Sequence, residues 1–156
     1  MTQYSTSARP RRPAATLASV RRWGIFAVVD PRARTLFLLL VLAQALHSVE
    51  EYAFRLYDRF APAHRISDAL GVDRATGFLA ANAAFVLVGL AWWSLAVRPQ
   101  RRAGGGLAWF WAVLEALNGL VHILLALAAG GYFPGLLTAP LLLGLAAALI
   151  ARLSRR

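Results

Sequence analysis

The chain contains no cysteine, a single methionine and only seven acidic residues among 156. The missing thiols exclude disulfides, thiolate metal ligation and cysteine nucleophiles together, so any metal must be held by nitrogen and oxygen. Charge is also scarce: 15% of the residues are charged, against roughly a quarter in soluble domains, while 59% are hydrophobic. That is the composition of an integral membrane protein, and 156 residues leave no room for a separate soluble catalytic domain beside several spans. Lysine is absent as well, so all 17 basic residues are arginine. A net charge of +10 would suggest nucleic acid as the partner of a soluble chain. Here the arginines sit at the ends of apolar runs, where they act as topology signals, and the expected partners are membrane lipids and no nucleic acid.

Residues 1–34 read as a basic, flexible N-terminal arm, and the short apolar piece Trp23 to Val29 within it as a headgroup-level segment too short to span. The membrane domain is expected over residues 35–156. Four segments in it, about 35–55, 76–97, 107–129 and 135–152, approach the roughly 20 residues a spanning helix needs. Short connections predict an all-α, four-helix transmembrane bundle running up-down-up-down. Arginines in the arm, at Arg98, Arg101 and Arg102, and at Arg152, Arg155 and Arg156 put both termini on the cytoplasmic side of a multi-pass protein of the cell membrane. Trp92, Trp93, Trp109 and Trp111 fit an interfacial belt, Gly104 to Gly106 a flexible connector, and Pro140 a bend near the outer end of the fourth helix.

Against this apolar background stand His47-Ser48-Val49-Glu50-Glu51. An ionisable side chain at mid-membrane costs at least about 2.5–3.5 kcal/mol, so such groups face a bundle interior, pair, bind a metal or ligand, or carry protons. His47, Glu50 and Glu51 fall on one helix face by their i, i+3, i+4 spacing, and Glu115, Asn118 and His122 do the same on the third span. At about 1.5 Å per residue, His47 to Glu51 lie roughly 18–24 Å from the cytoplasmic end and Asn118 to His122 roughly 16–23 Å, which is one layer. Asn82 reaches the same layer from the second span and Thr138 lies slightly above it, while Gln44 and Glu115 coincide one turn deeper, where the amide can hold the carboxyl. Glu51 and Arg55 are spaced for an i, i+4 ion pair, and His64 lies in a polar loop, where it is expected to be solvated.

His47-x-x-Glu50-Glu51, followed by Asn118-x-x-x-His122 and by Tyr132-Phe133-Pro134-Gly135 with Thr138, resembles the HXXEE family of small bacterial membrane proteins. The resemblance runs over about residues 35 to 150. It implies a multi-span bundle with one shared polar site, of which His47, Glu50, Glu51, Asn118 and His122 are the counterparts here.

Two histidines and a carboxylate are a recognised ligand set for zinc hydrolysis and for non-haem iron chemistry. His47, His122, Glu50 and Glu51 are therefore the candidate ligands of a divalent metal, zinc or iron. A glutamate not used as ligand, Glu50 or Glu51, is a candidate general base, and Asn118 is placed to orient a ligand or a bound water. The expected activity is that of a metal-dependent or acid-base membrane enzyme on a lipid-like substrate. The alternatives are ion or lipid binding and transport, or a structural polar network without catalysis. Of the adjacent carboxylates, Glu50 is expected to be the less compensated, a metal ligand or proton carrier, because Glu51 has both His47 and Arg55 one turn away. The sequence sets no oligomeric state.

The topology is open to test, and the absence of native cysteine makes the test clean. A cysteine introduced at Gly104 should stay unlabelled by an impermeant thiol reagent added to intact cells and should react after permeabilisation. Labelling of intact cells would invert the assignment.

Overall fold

The computed structural model describes residues 29–155. They form five helices: α1 (Pro31–Ala53), α2 (Ala61–Leu70), α3 (Arg74–Trp92), α4 (Gly104–Ala128) and α5 (Ala139–Ser154), with no strand among the described residues. Nearly all of the basic arm, including most of the short apolar piece Trp23 to Val29, and the final arginine lie outside the described residues. By length and composition, three helices can cross a membrane: Pro31–Ala53, Arg74–Val97 and Gly104–Ala128; α5 is apolar but shorter.

Helix α1 begins at Pro31, earlier than the expected residue 35. Asp30 caps it, accepting from the Ala33 amide at 2.9 Å, and the fixed φ of Pro31 suits a first turn, where its missing N–H is no loss. Asp73 caps α3 in the same way, accepting from the Thr76 amide at 3.0 Å and hydroxyl at 2.6 Å; these bonds, the hydroxyl's first, hold its carboxyl below the usual range. Helix α3 then widens into a π-helical turn, Trp93–Val97.

Four expectations fail. Gly104 to Gly106 are not a flexible connector, because α4 begins at Gly104 and buries both Gly104 and Gly105. The segment after α1 is not merely a loop: α2 starts with Pro62 in its first turn and ends at Gly71, whose φ of 67° is the left-handed conformation glycine adopts without strain. Its buried Ser67 packs directly on Gly77 of α3. Pro140 bends nothing, because α5 starts at Ala139 and Pro140 occupies its first turn; residues 135–138 are turns rather than helix. Trp111 does not belong to an interfacial belt. It is fully buried, stacked on Phe85 at 4.5 Å and tilted against Phe37 at 6.0 Å.

Cross-links at one end of the molecule set the helix directions. Arg152 near the end of α5 pairs with Asp30 before α1 at 3.1 Å, and Arg34 donates to the Arg98 carbonyl beyond α3 at 3.1 Å. Helix α1 is thus antiparallel to both α3 and α5, and Arg34, Arg98 and Arg152 lie at one end. The remaining polar residues collect toward the other. Between lies a core of Phe37, Leu40, Val41, Trp111, Leu142 and Leu149, all fully buried. Small residues allow the close approaches around it: Gly119 faces the Ala139 carbonyl, and Gly89 faces the Trp111 ring and Val41. Where lipid replaces water, such close van der Waals contact is what holds helices together.

A Cβ at Gly89 would lie 2.8 Å from the Trp111 ring and 3.0 Å from Val41. Gly89→Val should therefore cost about 1–3 kcal/mol, the usual penalty for overpacking, seen as a lowered thermal unfolding midpoint. The exposed neighbour replaced by Val88→Leu should leave the midpoint unchanged. Equal midpoints for all three proteins would mean that α3 does not pack on Trp111.

Candidate metal centre

Two carboxylates adjacent in sequence point to different places, since successive helical positions diverge by about 100°. Glu50 faces the turns that link α4 to α5. Its Oε1 accepts from the Tyr132 hydroxyl (2.8 Å) and the amides of Gly135 (3.1 Å) and Leu137 (2.9 Å), and its Oε2 from the amide (2.9 Å) and hydroxyl (2.6 Å) of Thr138. Five donors saturate the carboxylate. This reverses the expectation that Glu50 would be the less compensated of the pair, because the irregular segment before α5 offers it backbone amides that helical periodicity could not reveal.

Glu51 faces the histidines instead. Its Oε1 lies 3.0 Å from His122 Nε2 and 3.5 Å from His47 Nε2, and the three side chains are buried. Arg55 does not pair with it: the residue lies beyond the end of α1 in a left-handed conformation and binds Asp58 at 2.7 Å. The imidazole rings of His47 and His122 meet edge to face, with centroids 4.6 Å apart.

The protons of this cluster follow from its partners. His122 Nδ1 lies 2.6 Å from the Pro134 carbonyl, which only accepts, so Nδ1 carries the hydrogen. His47 Nδ1 lies 2.7 Å from Thr138 Oγ1, whose own proton is given to Glu50; here too Nδ1 must be the donor. In the neutral rings both Nε2 atoms then present lone pairs toward a carboxylate oxygen, and His47 Nε2 has no hydrogen-bond donor or acceptor satisfying it. Three acceptors face one another in a buried space, an arrangement that repels unless a cation sits among them. The ligand atoms of His47, Glu51 and His122 all lie within 4.8 Å of one another, and this group could hold a metal ion. Bonds of about 2.0–2.2 Å from each to a shared ion would need only modest shifts of the side chains. Each histidine also has the outer partner typical of metal ligands, a backbone carbonyl for His122 and a hydroxyl backed by carboxylate for His47.

Gly135 makes the close approach possible. Its φ is 95°, and a Cβ there would lie 2.8 Å from His47 Cε1 and collide with His122 Nδ1.

The remaining polar residues form a separate row. Asn118 donates to Gln44 Oε1 (3.1 Å), Gln44 to Ser48 Oγ (3.1 Å), Ser48 to Asn82 Oδ1 (2.7 Å) and Asn82 to the Phe78 carbonyl (3.1 Å). Asn118, expected beside the histidines, instead belongs to this row, as does Gln44, whose amide does not hold Glu115. Among the described residues neither carboxyl oxygen of the fully buried Glu115 accepts a well-formed hydrogen bond. His64, expected in solvent, bonds through Nε2 to the Tyr57 carbonyl at 2.9 Å. Ser48 was not singled out in sequence, although its i+4 spacing from Gln44 was a usable signal.

The two glutamates should respond oppositely to amide replacement in metal-free protein. Glu50→Gln sets an NH2 group against donors, and with about 1–3 kcal/mol per stranded buried donor the unfolding midpoint should fall steeply. In Glu51→Gln the amide N–H can satisfy a histidine lone pair, so stability should hold or rise. Comparable losses in both variants would contradict the proton placement.

The model of a family described as a protein of unknown function with HXXEE motif matches residues 38–150, a span that contains all of the ligand group. No curated protein and no solved structure matches the chain. The family match covers most of the 156 residues, with its motif at His47, Glu50 and Glu51, and the chain belongs to the HXXEE family.

Proposed function

We propose that this protein is a multi-pass membrane enzyme that holds one divalent metal through His47, Glu51 and His122 and acts on a lipid-like substrate. One observation carries the reading: with both Nδ1 atoms committed as donors, the Nε2 atoms of His47 and His122 and a carboxylate oxygen of Glu51 converge in a buried space, and in neutral rings all three present lone pairs. The donor set suits zinc or ferrous iron. Such a metal supplies Lewis acidity and lowers the pKa of a bound water. The protein's own part is positional. Pro134 and Thr138 fix the two rings, Gly135 lets them approach, and Glu50 pins the segment carrying all three. Glu50 is thereby a positioning residue rather than a ligand.

The membrane part of the proposal counts α5 as a fourth crossing. Its 16 residues span about 24 Å, short of a hydrocarbon core of about 30 Å, and the turns before it would make up the difference. Non-helical backbone is tolerated at such depth when its polar groups are met by protein, as Glu50 does here. The placing of Arg34, Arg98 and Arg152 at one end supports a four-helix bundle with both termini cytoplasmic.

A second reading is favoured by the 3.0 Å separation of Glu51 and His122, an ordinary charge-assisted hydrogen-bond length. In it protons take the place of the metal, and the pair moves a proton to or from the substrate. Metal uptake separates the two. Purified protein stripped and reloaded with zinc or cobalt should bind one ion per chain, with cobalt giving a d–d absorption band, and His47→Ala, Glu51→Gln and His122→Ala should each abolish it. Folded wild-type protein that takes up no metal would leave only the proton reading.

A further inference from the structure

Beside the three-residue group lies a cavity of about 390 Å³ between α1, α3 and α4, within the usual size of small-molecule sites, roughly 300–1,000 Å³. Its mouth is apolar. Leu117, Val121 and Leu125, spaced four apart along one face of α4, line it and are exposed at their outer sides, and Phe78 and Phe85 of α3 form the opposite wall. Glu51 and His122 stand at its inner end, so a molecule filling the cavity touches the candidate metal centre.

The inner wall also includes Glu115, which neither the ligand group nor the amide row uses. Its side chain is fully buried, and among the described residues neither carboxyl oxygen accepts a well-formed hydrogen bond, although the Asn118 amide lies close by. An unmet buried carboxyl is among the more costly features a fold can keep. The cavity lining holds two carboxyls, Glu51 and Glu115, and no arginine. Of the amide oxygens nearby, Gln44 Oε1 is taken by the Asn118 amide and Asn82 Oδ1 by the Ser48 hydroxyl. The Asn118 amide is the donor nearby that bears on Glu115, and the one basic side chain of the lining, His122, is already turned to Glu51.

The geometry points to a cavity that binds a single-chain amphiphile whose head donates hydrogen bonds, an amine or an alcohol, with Glu115 receiving that head and the chain leaving between α3 and α4. In the metal-free protein anionic heads such as sulfonates or phosphates are disfavoured, because they would meet two carboxyls and a histidine already paired with Glu51. This deepens the proposed function by naming its substrate class, and rests on that reading for the claim that the bound molecule is a substrate. Binding itself is testable without it.

Three photoreactive probes suffice, each a dodecyl chain with a mid-chain diazirine, ending in a hydroxyl, a primary amine or a sulfonate. The full chain in phosphatidylcholine nanodiscs is irradiated with each, metal-stripped and zinc-loaded, and labelled peptides are mapped by mass spectrometry. In the metal-stripped protein the hydroxyl and amine probes should label the walls around Phe78 to Phe85 and Leu114 to Leu125 at least about tenfold more than the sulfonate, the equivalent of one charge-assisted hydrogen bond. Glu115→Gln should cut amine labelling about tenfold, the same equivalent, and leave hydroxyl labelling largely intact. Val121→Trp, a change at the exposed mouth, should suppress labelling by every probe whether or not the Glu115 variant folds. Equal labelling by all three heads, labelling elsewhere on the chain, or an amine-to-sulfonate ratio unmoved in folded Glu115→Gln would overturn the inference. Head-group selectivity in a protein that takes up no metal would remove the metal reading alone. One metal bound per chain with no head-group selectivity would remove this inference alone.

Discussion

The site depends on the saturation of one carboxylate. Glu50 sits on α1, and its five donors come from a stretch of seven residues between Tyr132 and Thr138. That stretch has no helical ladder of its own, so its amides would be stranded in an apolar interior without an acceptor. Glu50 supplies the acceptor, and in doing so fastens the irregular segment to α1. Everything nearer the histidines follows: Pro134 is held where its carbonyl orients His122, Thr138 where its hydroxyl orients His47, and Gly135 between the two rings. The ion-free cost of keeping a charge at this depth is offset because the charge is hydrogen-bonded on every side.

The motif's paired glutamates thus divide into a structural and a chemical half. Nothing in H-x-x-E-E itself says which is which. Spacing put His47 and Glu51 on one face and depth matched them with His122, and the coordinates bring these three together, while Glu50 turns to the segment before α5. The assignment between Glu50 and Glu51 went the other way because it weighed only side chains on α1. The decisive partners of Glu50 are backbone amides 85 to 88 positions later, and such donors leave no mark on composition or periodicity. Arg55 misled for a related reason: i, i+4 spacing assumes a continuing helix, whereas α1 ends at Ala53.

The long apolar helices were legible because runs of that length have few other readings. Ends were less so. Pro31 and Pro140 both initiate helices, and a proline read as helix breaker or bend is equally a first-turn residue when an acceptor or turn precedes it. Trp111 flanks in sequence the loop that carries Arg98, Arg101 and Arg102, as an interfacial tryptophan would, yet Gly89 on α3 opens a recess for it. A small residue facing a large one across helices is a pairwise property, and a single sequence displays only its two halves. Glu115 stands apart, since its position one turn below the histidines was visible while its lack of a well-formed hydrogen bond was not.

The row from Asn118 through Gln44, Ser48 and Asn82 to the Phe78 carbonyl has a sense as well as a path. A carbonyl can only accept, so the last link fixes which way Asn82 is turned; Asn82 then fixes Ser48, Ser48 fixes Gln44, and Gln44 fixes Asn118. Turning any one amide over would bring like against like at the joints beside it. The row therefore has a single polarity, and it ties the rotation of α1, α3 and α4 about their own axes to one another. Between greasy helices, where one apolar face packs nearly as well as the next, such a polarised thread distinguishes the native rotation from its neighbours.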